Sequence, residues 1–581
     1  MERKIMAVIS FVAALLAFSA AVIGYILSPT YRTIETYPSK VTVLEIEGSI
    51  VESKVPPIYE NNQVLLPIDI VKKYLDKNIF WDEKAQKVII TTQDKVIKLM
   101  EGKVSALVNE KPVTISTSVK IVSGTVYMPI DFLKDVYRID IKYVNKYNKI
   151  IIDYRDSIKK IAEVIPKRAV VRNDMSIKAP VIKWLKGKDG IRVFDEYEKW
   201  YKVRTEEGLI GYMQKKDVKI TALTSSIYTE YKQEPVVPPA TRILKGKINL
   251  VWDYMEGEAP NMSGVEKIKG LDVVSPTWFR LTDKDTIINS LADFKYLEWA
   301  KLNGYTVWPL FSNDSDTALA SKVLNDSSLR EKVIQELLVY VKLYKLEGIN
   351  LDFENLKIED KDVYTQFVRE LAPPLRQLGV ILSVDVGVPG GSDNWSNCYD
   401  RKALSEAVDY MMVMTYDQHW GTSPISGSVA QYDWVEEKVK LTLKEVPASK
   451  LLLGLPFYSR EWKEDYDTDG KMIGSPTSVA ISMEQAQDKI KSNNAKIQWD
   501  KQSGQNYAEY TKGNSKYKIW VEDEKSINLK SSLVHKYQLA GAASWRRGFE
   551  TPNIWAVLHK NLKRNVNYTE WAKANSSFKN R

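Results

Sequence analysis

The stretch Leu346-Glu347-Gly348-Ile349-Asn350-Leu351-Asp352-Phe353-Glu354-Asn355 decides how this chain is read. From Ile349 to Glu354 apolar residues alternate with acidic or amide ones, which is the period of a strand. Asn350, Asp352 and Glu354 therefore share one face, and Ile349, Leu351 and Phe353 take the other. A polar row in such a segment needs a cavity to point into. Two carboxylates two positions apart on a strand can raise one another's pKa, as a general acid working near neutral pH requires. An arbitrary Asp-x-Glu is more often an exposed polar face or a buried hydrogen-bond network, so the surrounding pattern has to decide.

That pattern runs from residue 242 to 564, where apolar strand segments alternate with amphipathic helices, the sign of a parallel sheet. The candidate strands before the acidic one are 248–253, 273–278 and 306–311. Those after it are 381–386, 410–417, 451–457 and 541–545. Eight strands predict a (β/α)8 TIM barrel, whose site forms at the carboxyl ends of the strands. Residues 459–535, between the last two strands, are too long for one crossover and contain the strand-like run Lys516-Tyr517-Lys518-Ile519-Trp520-Val521. They are read as a small α+β insertion.

The acidic stretch resembles the signature of family 18 glycoside hydrolases, D-G-x-D-x-D-x-E. The resemblance implies a retaining mechanism in which the substrate's own 2-acetamido group is the nucleophile. It makes Glu354 the proton donor and Asp352 the carboxylate that orients the acetamido group. Along Met414-Thr415-Tyr416-Asp417, it makes Tyr416 the donor to the acetamido oxygen and Asp417 a sugar contact, with Met414 on the floor. Trp545, closing the eighth strand, resembles the tryptophan beneath the sugar. Trp420 and Tyr458 are further groove aromatics.

Two positions depart from the chitinase form, Glu347 and Asn350, where that form has Asp. Asn cannot carry charge, so Asn350 is read as a hydrogen-bonding partner of Asp352, and Glu347 as a support of the strand entry. The I-N-x-D-F-E form is similar to that of bacterial family 18 glucosaminidases acting on peptidoglycan and spore cortex. The leading expectation is a hydrolase of β-1,4 bonds at N-acetylglucosamine in peptidoglycan or spore cortex. A chitinase is the first alternative, and a lectin-like wall protein on an inactive barrel is the second.

The flanking sequence sets the context. Arg3 and Lys4 precede an apolar run from Ile5 to Leu27 that is long enough to cross a bilayer. Residues 1–29 read as a signal anchor that leaves the rest outside, with cleavage near Ser19-Ala20-Ala21 as the alternative of secretion. Cys398 is the only cysteine, and the three histidines are scattered, so neither a disulfide framework nor a metal or cofactor site is expected. A net charge of +9 favours a polyanionic bacterial wall as partner. The export segment and the lack of a basic tract argue against nucleic acid.

Residues 41–154 contain a repeat. Val64-Leu65-Leu66-Pro67-Ile68-Asp69 matches Val126-Tyr127-Met128-Pro129-Ile130-Asp131, and Lys87-Val88-Ile89-Ile90 matches Lys149-Ile150-Ile151-Ile152. Each copy is expected to give a strand, a helix and a hairpin. The region resembles the amino-terminal domain of copper amine oxidases, here a duplicated α+β stalk without copper ligands. Residues 160–221, with Trp200-Tyr201-Lys202-Val203-Arg204 and Gly208-Leu209-Ile210-Gly211-Tyr212, resemble a bacterial SH3-like all-β barrel. Trp200, Tyr201 and Tyr212 are its candidate wall-binding aromatics, with a place in the core as the alternative. Residues 222–241 are a Pro-containing linker, and 565–581 are expected to fray.

Overall fold

The computed structural model describes residues 2–35, 39–225, 244, 246–257, 262, 264–283, 287–564 and 568–575. The chain divides into two compact units, one built mainly from residues up to Gln233 and one from Glu234 onward. Most of the linker expected at 222–241 lies outside the described residues.

In the second unit eight strands close into a ring. Ile248–Asp253, the first, pairs in parallel with both Val273–Pro276 and Gly541–Trp545. Each intervening strand pairs in parallel with the next, through Gly348–Asp352, Ile381–Gly387, Tyr410–Met414 and Leu451–Pro456. The expected barrel is therefore present. The second and third strands are interrupted, as Val273–Pro276 then Phe279–Leu281, and Thr306–Val307 then Leu310–Ser312. Pro276 and Pro309 stand at these breaks, where a residue without an N–H cannot continue the ladder.

Both faces of the fourth strand are covered. Ile349, Leu351 and Phe353 sink into the layer between sheet and helices, at 1% exposure or less. Gly348 opens the strand because a Cβ there would lie 2.3 Å from the Trp308 ring. Between the seventh and eighth strands a five-stranded antiparallel sheet, with the helix Met483–Ser492, forms the insertion. The carboxyl-terminal stretch differs from expectation, since Tyr568–Ala574 is a helix. Trp571 is buried and its indole donates to Asn528 Oδ1 at 3.0 Å, an anchor that a purely polar tail would lack.

In the first unit the helix Glu2–Leu27 contains a span, Ile5–Ile26, long and apolar enough to cross a membrane. The two matching stretches of the repeat fall on neighbouring antiparallel strands, Gln63–Pro67 and Thr125–Pro129. The helix expected after each strand forms only once, at Ile68–Tyr74, while its counterpart is a single 3-10 turn, Asp131–Leu133. There residues 134–138 turn instead, with Arg138 in the left-handed region at φ 51°, before the next strand starts at Ile139. Ile158–Ser225 forms a seven-stranded antiparallel sheet. In it Trp200 is buried rather than displayed, whereas Tyr212 stays partly open beside Tyr197, 6.1 Å away.

Candidate active site

The acidic strand ends at Asp352, and Glu354 lies just past the end. Two residues beyond the motif hold that turn. Asn313, fully buried after the third strand, accepts from Glu354 N at 2.9 Å and donates to Glu354 O at 2.9 Å. Tyr399 donates its hydroxyl to the Phe353 carbonyl at 2.8 Å. Together they fix the peptide groups on both sides of the Glu354 side chain. Neither residue carries a sequence signal, because each meets the turn only through the fold.

Asn350 does not serve Asp352. Its carbonyl oxygen accepts from the Trp252 indole at 2.8 Å and from Ser275 Oγ at 3.4 Å, and its amide nitrogen donates to Asp385 Oδ1 at 2.9 Å. The expected Asn350–Asp352 bond is thus replaced by bonds to the first, second and fifth strands, since the interior face of a barrel brings together side chains from many strands. Asp385, on the fifth strand and 2% exposed, is a functional candidate that the sequence reading did not single out. The alternation Ser383-Val384-Asp385 was its only signal.

Three carboxyl groups converge here. Burial pushes the Asp352 pKa well above the usual carboxylate range, and the nearby Asp385 adds to this. Burial likewise raises Glu354, reinforced by Asp352 and Asp417. Asp385 is raised by burial, with the Asn350 amide opposing and Glu354 adding. Asp352 Oδ1 is buried and takes no hydrogen bond from any described residue.

Tyr416 comes within electrostatic reach of Asp385, Asp352 and Glu354, so the residues expected to work together are together. Asp417, exposed and in the left-handed region at φ 54°, accepts from the Tyr458 hydroxyl at 2.7 Å and lies 3.5 Å from Arg460. Tyr458 was expected to be a groove aromatic but is 4% exposed. It braces Asp417 instead of offering a ring face. Tyr458 and Arg460 stand on the first strand of the insertion, which thereby reaches the loop after the sixth strand.

Met414 ends the sixth strand, partly buried beside Gly387. Trp545 is half-buried, 6.0 Å from Trp252 and 6.3 Å from Tyr254. It is joined to the acidic row through the Trp252–Asn350 bond. Trp420 is 52% exposed, its indole donating to Thr422 Oγ1 at 3.1 Å, and no contact ties it to the carboxylates. Cys398 is buried, its thiol pushed up to about 11 by burial.

Residues 262–550 match the family described as glycosyl hydrolases family 18, and residues 45–152 match the copper amine oxidase N-terminal domain. Among similar proteins, the uncharacterized glycosylase YvbX of Bacillus subtilis (strain 168) is 28% identical over 323 residues, covering 53% of this chain and 90% of that protein. The cortical fragment-lytic enzyme of the same organism is 28% identical over 240 residues, covering 41% of this chain and 54% of its own length. The spore cortex-lytic enzyme SleL of Bacillus megaterium QM B1551 is 21% identical, with a TM-score of 0.49, over 55% of this chain and 74% of that one. Residues 262–550 thus form a glycosyl hydrolase family 18 domain, and its relatives among cortex-lytic enzymes and chitinases support a glycosidase activity.

Proposed function

We propose that the protein hydrolyses β-1,4 bonds at N-acetylglucosamine in peptidoglycan or spore cortex, with retention and with the substrate acetamido group as nucleophile. The observation that carries this reading is the pair at the strand end: a buried Asp352 oxygen without a donor, beside a Glu354 whose pKa is held well up by burial and negative neighbours. Glu354 keeps its proton to higher pH than an ordinary carboxyl and gives it to the glycosidic oxygen. Asp352 accepts the acetamido N–H, which draws the acetamido oxygen toward the anomeric carbon. The Tyr416 hydroxyl donates to that oxygen as the ring closes. Asp417, steadied by Tyr458, contacts the sugar, and Trp545 with Met414 forms the floor beneath it.

The first unit is read as a presenting device. In this reading the apolar helix anchors the chain, or is cleaved on export, and the duplicated segment 41–154 is a spacer. The sheet from residue 160 to 221 is an SH3-like module, with Tyr201 and Tyr212 as the aromatics left for glycan-peptide contact.

The test is the release of muropeptides from purified wall or cortex by the full chain, with the new reducing end identified by mass spectrometry. Products ending in N-acetylglucosamine, lost in Glu354→Gln, are expected. Equal release by wild type and Glu354→Gln would end the enzymatic reading, and faster cleavage of chitin oligomers than of muropeptide-bearing glycan would move the substrate to chitin.

A further inference from the structure

We propose that Arg546 forms a carboxylate-binding subsite at the mouth of the barrel: its guanidinium, held beside Trp545, reads an acidic substituent on the glycan and selects a charged strand over a neutral one. The inference rests on the glycosidase reading of the barrel and adds a determinant of its substrate class.

Arg546 follows Trp545, which ends the eighth strand, and the chain there is fixed by backbone bonds on both sides. Arg547 N donates to the Trp252 carbonyl at 2.9 Å, and Phe549 N donates to the Arg546 carbonyl at 3.1 Å. The Phe549 carbonyl in turn accepts at 2.8 Å from the N–H of Met483, at the start of the insertion's helix. The Arg546 guanidinium lies against two rings, 4.1 Å from the centre of Phe549 and 4.8 Å from that of Tyr254. Tyr254, just past the first strand and 36% exposed, also meets the Trp545 ring edge-on at 6.3 Å. Trp545, Tyr254 and Arg546 therefore form one partly exposed patch where the first and eighth strands end.

The two adjacent arginines are used differently. Arg547 pairs with the buried Asp253 at 2.7 Å, and Asp253 also accepts from the Tyr296 hydroxyl at 2.9 Å. Arg546 makes no hydrogen bond or ion pair with any described residue, and the acids within its electrostatic reach are that same Asp253 and the exposed Glu256. Ring contacts engage its charge but leave its N–H groups, a planar fork of donors, for an anion. Such a fork matches a carboxylate in a bidentate way. In peptidoglycan the sugar next to N-acetylglucosamine carries a lactyl group that ends in a carboxylate or in a peptide with carboxylates of its own, whereas a chitin strand has none. With N-acetylglucosamine seated on Trp545, Arg546 is the cation that meets the acidic substituent of the neighbouring sugar. Tyr254 and Phe549 keep it in place while it waits.

The experiment uses the full chain as wild type, Arg546→Gln, Arg546→Lys and Glu354→Gln, on peptide-free wall glycan, peptide-bearing wall glycan and neutral chitin oligomers. Arg546→Gln is expected to lower kcat/KM on acidic glycan by about tenfold or more, mainly through KM, and to leave chitin oligomers within about twofold of wild type. Arg546→Lys is expected to keep part of the preference. A loss already present on peptide-free glycan assigns the lactyl carboxylate as the group read, and a loss confined to peptide-bearing glycan assigns the stem peptide. No loss on either acidic glycan, or an equal loss on acidic and neutral ones, overturns the proposal. Calorimetry on Glu354→Gln supplies a measure apart from turnover. N-acetylmuramyl-N-acetylglucosamine, with or without its peptide, is expected to bind more tightly than diacetylchitobiose, the margin shrinking as salt rises and vanishing in Glu354→Gln/Arg546→Gln. Should the Arg546 variants fail to fold, the comparison on Glu354→Gln decides: equal affinity for all three ligands counts against the subsite. If Glu354→Gln instead hydrolyses like wild type, the glycosidase reading fails, and the binding comparison still judges Arg546 by itself.

Discussion

Both units bury carboxylates, and they treat them in opposite ways. In the first unit Glu45 is fully buried, yet Lys149 lies 3.1 Å from one oxygen and Arg204 2.7 Å from the other. Asp153 takes Arg192 at 2.7 Å and also Arg204, and Arg192 reaches Glu47 at 2.6 Å. These contacts join the strand Val43–Ile46 and the strand Lys149–Tyr154 to the seven-stranded sheet. In the barrel, Asp352, Glu354 and Asp385 lie within electrostatic reach of one another, and among the described residues none of them pairs with a cation. Burial with a cation yields a fixed structural link, whereas burial among like charges yields carboxyls that hold protons. The same residue types thus serve architecture in one place and, in the proposed mechanism, proton transfer in the other.

The sharpest way to break this comparison is to remove the acid. Glu354→Gln is expected to lower kcat by about 10²- to 10⁴-fold without lowering the melting temperature, as measured by reducing-end release and calorimetry. The corresponding cut in the first unit is Glu45→Ala, which strands Lys149 and Arg204 in a buried place. It is expected to cost about 3–5 kcal/mol of that unit's stability, read by denaturant unfolding, while glycan hydrolysis by the barrel stays intact. Loss of hydrolysis with stability unchanged would erase the distinction drawn here.

Smaller perturbations refine it. Asn313→Ala removes both clamps on the Glu354 backbone, worth about 1 kcal/mol each, so kcat is expected to fall about tenfold or more with KM nearly constant. Tyr458→Phe frees Asp417 and is expected to raise KM a few-fold, an effect of about 1 kcal/mol. The pH profile separates the two kinds of burial. Glu354 must be protonated to act, so activity is expected to fall as pH rises through its elevated pKa, and Glu354→Gln removes that limb. A carboxyl whose folded pKa lies above its unfolded value stabilises the fold at low pH, and that contribution is lost as pH rises through the folded value. The barrel should therefore lose melting temperature on the alkaline side, and Asp385→Asn should flatten the loss.

The alternation at 349–354 and the spacing of apolar runs made the eight strands, the insertion and the row Asn350, Asp352, Glu354 legible in advance, because strand period and chain order are local properties. Tyr416 and Trp545 were legible for the related reason that strand ends are marked in the sequence. Asp385, Asn313 and Tyr399 were not, since nothing in the residues around each of them names the strand or turn it will meet. Tyr458 and Trp200 were legible as aromatics but not as buried ones, because exposure depends on what packs over a side chain.

What the sequence determined alone is the set of carboxyl groups and the strand that presents Asp352 and Glu354, since a period of two fixes which side chains share a face. What only the tertiary structure decided is their company. Closing the barrel sets Asp385 beside Asp352 and turns Asn350 away toward Trp252, Ser275 and Asp385. Among the described residues that closure brings no cation to them, because the partners of a buried charge come from strands far apart in the chain and are chosen when those strands meet.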